Sequence, residues 1–425
     1  MTDTPVSAQA AAFDAADQLA DFRSRFRLPL APDGSPSIYL CGNSLGPQPV
    51  DADARVRDVM QAWATLGVRG HHEGTEPWIN YHEQFAAPLA RIVGAMPNEV
   101  VAMNTLTVNL HLLLVSFYRP TAARHRVLIE QSAFPSDRYA LVSQLAHRGR
   151  SAADSLIEVG PRAGEDLLRT ADLVDAIDRA GSTLALVLLP GVQYLSGQVL
   201  DVAAVTAAAR RHGAVVGWDL AHTAGNVPVA LHDSGADFAV WCNYKYLCGG
   251  PGAIAGAFVH ERHAANAALP RLAGWWGHDA STRFEMGPNF VPMRGAEGWQ
   301  LSNPPVLGLA PLAAALAIFD AAGMSRLRAK SLALSSFARR RIEARCAGRV
   351  TIVTPAAESE RGCQLSLRLA GGAAHGRRVF AALTRQGVIG DWREPDIVRI
   401  APAPLYTRFA DVERAVDILS TAVAP

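Results

Sequence analysis

The chain has 425 residues, 49% of them hydrophobic and 19% charged, with a formal net charge of +1. This length can bury a large core and allows two or three domains. The balanced charge argues against nucleic acid or an anionic membrane as a partner.

In chain order, residues 1–45 read as an Ala-rich leading helix and a first short strand. Asp3, with no basic residue before Arg23, lacks the start of a secretory signal. Gly42-Asn43-Ser44-Leu45-Gly46 matches the G-x-S-x-G nucleophile elbow of serine hydrolases. Such an elbow needs a central strand before it and a helix after it, whereas Pro47 and Pro49 follow here. His71-His72 reads as a loop pair without further metal ligands at usable spacing. Met103-Asn104-Thr105-Leu106-Thr107 precedes the apolar-periodic run Val108 to Tyr118. The free N–H groups and hydroxyls of such a helix start make either an ordinary cap or a phosphate cradle.

Strands are expected at Arg126–Glu130, Leu184–Leu189, Ala214–Trp218 and Ala236–Cys242, with helical patterns such as Ala203 to Arg211 between them. Alternation of this kind predicts an α/β fold with a mainly parallel sheet. Ala133-Phe134-Pro135-Ser136-Asp137 follows the first of these strands and offers an aromatic ring and an acid. Asp219-Leu220-Ala221-His222 follows the third. Asn243-Tyr244-Lys245-Tyr246 follows the fourth and runs into a glycine-rich turn. Ligands collect at the carboxyl ends of strands in open parallel sheets. An acid and a lysine placed there are what pyridoxal phosphate requires: an amine for its aldehyde and a carboxylate for its ring nitrogen. Taken singly, an Asp there is more often a cap or loop anchor and a Lys a solvated surface charge; together they point to the cofactor.

His260-Glu261-Arg262-His263 is one residue short of H-E-x-x-H, so the two imidazoles cannot share a helix face. The uncharged run Gly298 to Phe319 is interrupted by Gln300, Ser302, Asn303 and prolines 304, 305 and 311, so no membrane span is expected. After Pro304-Pro305 a long Ala/Leu helix leads into a smaller α+β portion. The expected division is an N-terminal segment 1–49 packing with the small domain, a large domain 50–305 and a small domain 306–425. Most of the arginines between Met324 and Arg345 read as a solvated helix face. Five cysteines (41, 242, 248, 346, 363) form no C-x-x-C pair, which fits a reduced cytoplasmic protein.

With these pieces assembled the chain resembles the kynureninase family. The strings that carry the likeness are Tyr39-Leu40-Cys41-Gly42-Asn43-Ser44-Leu45-Gly46, Leu106 to His111, Phe134 to Asp137, Asp219 to His222, Trp241 to Leu247, Gly274-Trp275, Ser302 to Pro305 and Arg399 to Pro402. They span roughly residues 38 to 415 and reassign the nucleophile elbow to a family signature. Cysteine desulfurases and aminotransferases of the same fold type share the acid and the lysine but not these strings.

The resemblance implies fold type I of pyridoxal phosphate enzymes, a homodimer with the site at the subunit boundary, and hydrolytic Cβ–Cγ cleavage of kynurenine or 3-hydroxykynurenine. The products would be alanine and the corresponding anthranilate, in tryptophan degradation or NAD biosynthesis. By position it implies that Lys245 carries the cofactor, Asp219 partners its ring nitrogen and His222 lies beside it. Phe134 would stack on the ring, with Pro135, Ser136 and Asp137 around it, and Leu106 and Thr107 would hold the phosphate. Tyr244 would hold phosphate and relay protons, and Trp275 and Asn303 would reach the cofactor across the dimer. Arg399 would clamp the substrate carboxylate, and His71 with Asn303 would meet the aryl end of the substrate. No metal is implied. Pro190-Gly191-Val192 departs from the Ser-Gly-Val of some members, removing a hydroxyl from the cofactor contacts.

Overall fold

The structure is a computed structural model that describes residues 7–424; Asp3 lies outside the described residues. Seven strands build the main sheet: Val100–Ala102 (β1), Arg126–Glu130 (β2), Leu156–Val159 (β3), Leu184–Pro190 (β4), Val215–Asp219 (β5), Phe238–Trp241 (β6) and Gly256–Val259 (β7). Their order is β1-β7-β6-β5-β4-β2-β3, and β7 alone runs antiparallel to its neighbours.

Side-chain alternation splits each strand between two apolar layers. Leu128, Val187, Leu189, Val216 and Trp218 enter one cluster with helices Thr170–Ala180 and Val202–Arg211. Val127, Ile129, Leu186, Leu188 and Val240 enter the other, with helices Leu106–Phe117 and Pro135–His147. A sheet covered on both faces explains why the strands read as unbroken apolar runs. Close packing also fixes single residues: a Cβ on Gly256 would lie 2.1 Å from the Trp241 indole on the neighbouring strand.

A second, antiparallel sheet is formed by Val350–Ile352 (β8), Leu365–Leu369 (β9), Asp391–Arg393 (β10) and Ile397–Ile400 (β11), in the order β8-β9-β11-β10. Its apolar layer includes Val379 and Leu383 from helix Gly372–Arg385 and Val412 and Val416 from helix Phe409–Ala422. The leading segment gives Ala10, Ile38 and Leu40 to this layer, and Leu19 and Phe26 to the layer of the main sheet. Helix Val306–Ala322 packs Leu309, Leu312 and Ala315 into the main-sheet layer. Among the described residues no single helix is long and apolar enough to cross a membrane.

The arginines of helix Met324–Arg345 correct the reading of a solvated face. Arg328 donates to the carbonyls of Arg361 at 2.8 Å and Glu358 at 2.6 Å, and Arg339 to that of Thr354 at 2.7 Å. Arg341 pairs with Glu413. Sequence periodicity cannot distinguish a charged face turned to water from one turned to the carbonyls of a neighbouring loop. Here the guanidinium groups satisfy loop carbonyls that would otherwise lack donors.

Candidate active site

The carboxyl ends of β2, β4, β5 and β6 converge on a cavity of about 150 Å³. Asp219 is the last residue of β5, opposite Pro190 on β4, and its Oδ1 accepts the Ala221 N–H at 2.6 Å. Lys245 stands on the turn after β6. Asn243 shapes that turn: its amide oxygen takes the Trp241 indole N–H at 2.9 Å and its nitrogen donates to the Ile254 carbonyl at 2.6 Å. The Cys248 N–H closes the turn on the Lys245 carbonyl at 3.0 Å. The Lys245 Nζ lies 5.7 Å from the centroid of the Phe134 ring.

Phe134 precedes helix Pro135–His147, with Pro135 in its first turn, where a missing N–H costs nothing. Asp137 lies in the same turn, and its buried carboxyl shares the cavity with that of Asp219. Leu106 and Thr107 open helix Leu106–Phe117, whose first N–H groups have no acceptor within the helix. Non-glycine residues with positive φ stand at three turns around the cavity: Asn104 (46°), Ser132 (59°) and Cys248 (56°). Such strain persists only where surrounding structure imposes it.

Burial sets the electrostatics. It raises Asp137 well above the ordinary carboxyl range, and the neighbouring Asp219 charge adds to this. Burial raises Asp219 as well, while neighbouring Asp137, the Lys245 charge and the Ala221 N–H pull the other way. Asp137 is therefore the member that keeps the proton, and Asp219 the carboxylate. Burial, helped by the Lys245 charge, lowers His222 far below its usual value, so this imidazole is neutral. The Tyr244 phenol is raised, chiefly by burial and then by Cys242, and holds its proton.

These residues fit pyridoxal phosphate. A flat aromatic face, a lysine and a carboxylate share one small cavity, and a helix N-terminus opens onto it for an anion. Three buried polar atoms there, Glu130 Oε2, Asp137 Oδ1 and His222 Nδ1, have no partner within the protein.

Of the residues expected from sequence, Leu106, Thr107, Phe134, Ser136, Asp137, Asp219, His222, Tyr244 and Lys245 line the cavity, as does Pro190. Pro135 supports it from the helix start. Arg399 is fully buried behind it on β11; its Nε bonds Asp391 Oδ1 at 2.6 Å, its Nη2 the other carboxylate oxygen, and its Nη1 the Tyr194 carbonyl at 2.5 Å. Five guanidinium N–H groups less these three leave one on each terminal nitrogen.

Trp275, His71 and Asn303 are not brought to the cavity within one chain. Trp275 is 40% exposed, with its indole N–H on the Arg283 carbonyl at 3.1 Å. His71 and Asn303 share a surface depression of about 360 Å³ with Trp63, Trp78 and Leu307.

Glu130, Val192, Tyr194 and Cys242 also line the cavity and were not singled out from sequence. Glu130 ends an apolar strand as Asp219 does, but only the sheet order, with β2 and β5 flanking β4, brings the two to one cavity.

Two sequence candidates take structural roles. Ser44 lies in a turn whose N–H groups, at Ser44 and Leu45, bond the Cys41 carbonyl at 2.9 and 3.1 Å, with no helix after it. Gly46 donates to the Tyr244 carbonyl at 2.8 Å, and a Cβ there would lie 2.5 Å from the Lys245 carbonyl. His263 turns to Asp237 at 2.8 Å, while His260 and His232 gather on buried Glu99 at 3.5 and 2.9 Å. These three groups lie close enough for a metal, yet Glu99 also accepts N–H groups from Met96 and Glu261, and His260 Nδ1 accepts that of Arg262.

Known proteins agree with this geometry. A family described as the kynureninase C-terminal domain matches residues 327–419. A kynureninase of Xanthomonas oryzae pv. oryzae is 57% identical over 412 residues, covering 97% of each chain. One of Stenotrophomonas maltophilia is 54% identical over 417 residues, covering 98% of each. A solved C-DES mutant with glycine covalently linked to its PLP cofactor superposes with a TM-score of 0.75 at 18% identity, covering 94% of this chain and 98% of the other. The fold is that of fold type I pyridoxal phosphate enzymes.

Proposed function

The chain belongs to the kynureninase family, and from that premise we propose how the residues of its cavity divide the work of cleaving kynurenine. The protein is a pyridoxal-phosphate-dependent hydrolase acting on the Cβ–Cγ bond; neither a desulfurase, an aminotransferase nor a serine hydrolase is favoured. The observation that carries the division of labour is the single cavity holding Phe134, Asp137, Asp219 and Lys245 together.

Bound pyridoxal phosphate supplies an aldehyde that captures the substrate amine and a ring that accepts electrons from Cα. Asp219 would hold the proton of the ring nitrogen, and protonated Asp137 keeps Asp219 in place without competing for that proton. The Lys245 amine would hold the cofactor and, once free of it, would take the Cα proton. Phe134 would cover the ring face. Leu106 and Thr107 would hold the phosphate at the helix start, with Tyr244 and His222 alongside. The Tyr244 phenol, kept protonated by burial, delivers a proton at Cβ once water has added to the γ-ketone and the Cβ–Cγ bond has broken. Arg399 grips the substrate carboxylate through the N–H groups that Asp391 and Tyr194 leave open.

The protein works as a cytoplasmic homodimer in this reading. Exposed Trp63, Val68, Trp275, Met286 and Leu307 supply apolar surface for a second copy. The partner's Trp275 and Asn303 would then complete the cofactor site, and His71 with Asn303 would meet a 3-hydroxyl on the substrate ring.

Incubating the pyridoxal-phosphate-loaded protein with kynurenine should release anthranilate and alanine in equal amounts. Alanine without anthranilate, or sulfur release from cysteine at higher efficiency, overturns the reading.

A further inference from the structure

A hairpin, residues 191–200, leaves the main sheet after β4 and ends against the second sheet. The Leu200 N–H bonds the Gly191 carbonyl at 3.0 Å, Val192 faces Val199, and the Gly197 N–H bonds the Gln193 carbonyl at 2.9 Å. Inside the turn the Gln193 amide oxygen takes the N–H groups of Leu195 and Ser196, both at 2.7 Å. The carbonyls of Tyr194, Leu195 and Ser196 are met instead by side chains of the second sheet.

Gln364, which precedes β9, donates from Nε2 to the Tyr194 carbonyl and to Ser366 Oγ, both at 3.0 Å. Ser366, on β9, passes its own proton to the Leu195 carbonyl at 2.5 Å. Thr354, two residues past β8, donates to the Ser196 carbonyl at 2.6 Å and accepts the Ser366 N–H at 2.8 Å. Arg399 Nη1, on β11, takes the other lone pair of the Tyr194 carbonyl at 2.5 Å. These four side chains are at most 1% exposed. A carbonyl can only accept, so the Gln364 nitrogen must face the hairpin. Its oxygen is left for Asn43 Nδ2, at 3.4 Å.

The tip is also part of the cavity. The Tyr194 side chain lines it and stands edge-on to Phe134, with ring centroids 5.2 Å apart. Gln364, Ser366 and Thr354 lie outside it.

We propose that Gln364, Ser366 and Thr354 are positioning residues for substrate binding. By holding three successive carbonyls of the hairpin tip they set Tyr194 at the cavity wall and Arg399 behind it. The effect on substrate rests on reading Arg399 as the carboxylate clamp; the effect on the hairpin does not.

The ladder between its two arms lets the hairpin form, and the donors at its tip decide where it sits. Removing one leaves a buried carbonyl without a partner, and the tip must shift to find another. Tyr194 then moves, and so does the Arg399 nitrogen bonded to its carbonyl. The remaining N–H on that nitrogen loses its aim at a carboxylate, while Lys245, Asp219 and the helix start at Leu106 keep their places. The signature is weaker binding of α-amino carboxylates with the chemistry little changed.

Thr354→Val and Gln364→Leu remove donors at nearly constant shape, and Thr354→Ser keeps one. Two readouts do not depend on turnover. The first is hydrogen exchange at the Leu195 and Ser196 amides without ligand. The second is the calorimetric Kd of the pyridoxal-phosphate-loaded protein for L-alanine, which carries the same α-carboxylate as kynurenine. Both donor-removing variants should exchange the amides about tenfold faster and bind L-alanine roughly fivefold more weakly, as loss of a buried hydrogen bond implies. KM for kynurenine should rise by a similar factor, with kcat and affinity for pyridoxal phosphate nearly unchanged. Wild-type exchange in both variants overturns the proposal. Thr354→Ser should restore protection and binding; if it behaves as Thr354→Val, the methyl group and not the hydroxyl is responsible, and the proposal falls. Arg399→Lys separates the two readings. Weaker L-alanine binding there, with wild-type binding in Thr354→Val and Gln364→Leu, overturns the proposal alone. Unchanged binding in all three overturns the clamp reading and the proposal with it. Should Gln364→Leu not fold, Ser366→Ala breaks the same relay one bond further along, and unchanged L-alanine binding there is equally fatal.

Discussion

Asp137 and Asp219, both buried carboxyl groups, line the same small cavity, and the charge on Asp219 helps to raise Asp137. Two carboxyls so placed do not both ionise. The Ala221 N–H, 2.6 Å from Asp219, and the Lys245 charge assign the negative charge to Asp219.

Replacing Asp219 by alanine should cut kcat by well over tenfold even with cofactor bound, because the ring nitrogen then loses its proton. Tenfold corresponds to roughly 1.4 kcal/mol of barrier. Steady-state rates at saturating pyridoxal phosphate measure the effect, and a smaller loss removes Asp219 as ring partner.

The raised Asp137 makes a prediction about stability and pH. A carboxyl whose folded value lies above its unfolded value of 3.8 gives stability that is present below that pH. It is lost as pH rises toward the folded value. Asp137→Asn is neutral at every pH, so wild type should lose melting temperature relative to this variant between pH 5 and pH 9. Parallel melting curves would refute the protonated Asp137.

Lys245→Ala should abolish anthranilate production while the melting temperature changes little, since this half-buried side chain faces a cavity rather than the core. Near-wild-type turnover by the folded variant would remove Lys245 from the chemistry.

For Arg399→Lys the expected result is a KM for kynurenine at least tenfold higher with cofactor affinity nearly unchanged. Lysine cannot hold Asp391 through two nitrogens and a substrate carboxylate through the rest. An unaltered KM would assign the carboxylate to another residue.

His71→Phe tests the aryl end of the pocket. A modest preference for 3-hydroxykynurenine in kcat/KM should shrink in the variant, because a polar pocket disfavours the analogue lacking the hydroxyl. The His71 ring already lies edge-on to Trp78 at 5.4 Å, so phenylalanine can occupy the same place. An unchanged ratio removes His71 from substrate contact.

The parts of the site legible in sequence are those carried by a strand and the few residues after it. Asp219 and Lys245 follow apolar runs, and both strands form where expected, β6 two residues later and one residue shorter at its end. Helix Leu106–Phe117 begins two residues before its apolar period; Thr105 makes no side-chain cap there, and Asn109 in the first turns ties back to the Met103 carbonyl at 2.8 Å. Glu130 escaped notice since nothing local tells that β2 and β5 flank β4. Hairpin 191–200 was equally silent: its bonds to Gln364, Thr354 and Arg399 join residues more than 150 positions apart.

The bond from Gly46 to the Tyr244 carbonyl has a consequence for the order of assembly. Residues 42–46 press against the lysine turn closely enough that a Cβ at Gly46 would overlap it. That same stretch is anchored where Cys41 pairs with Ala401, beside the second sheet. Chain from both extremities must therefore dock before the lysine turn is enclosed. A nascent polypeptide released before residue 401 would hold the seven strands in full yet leave its catalytic amine on an unfinished wall.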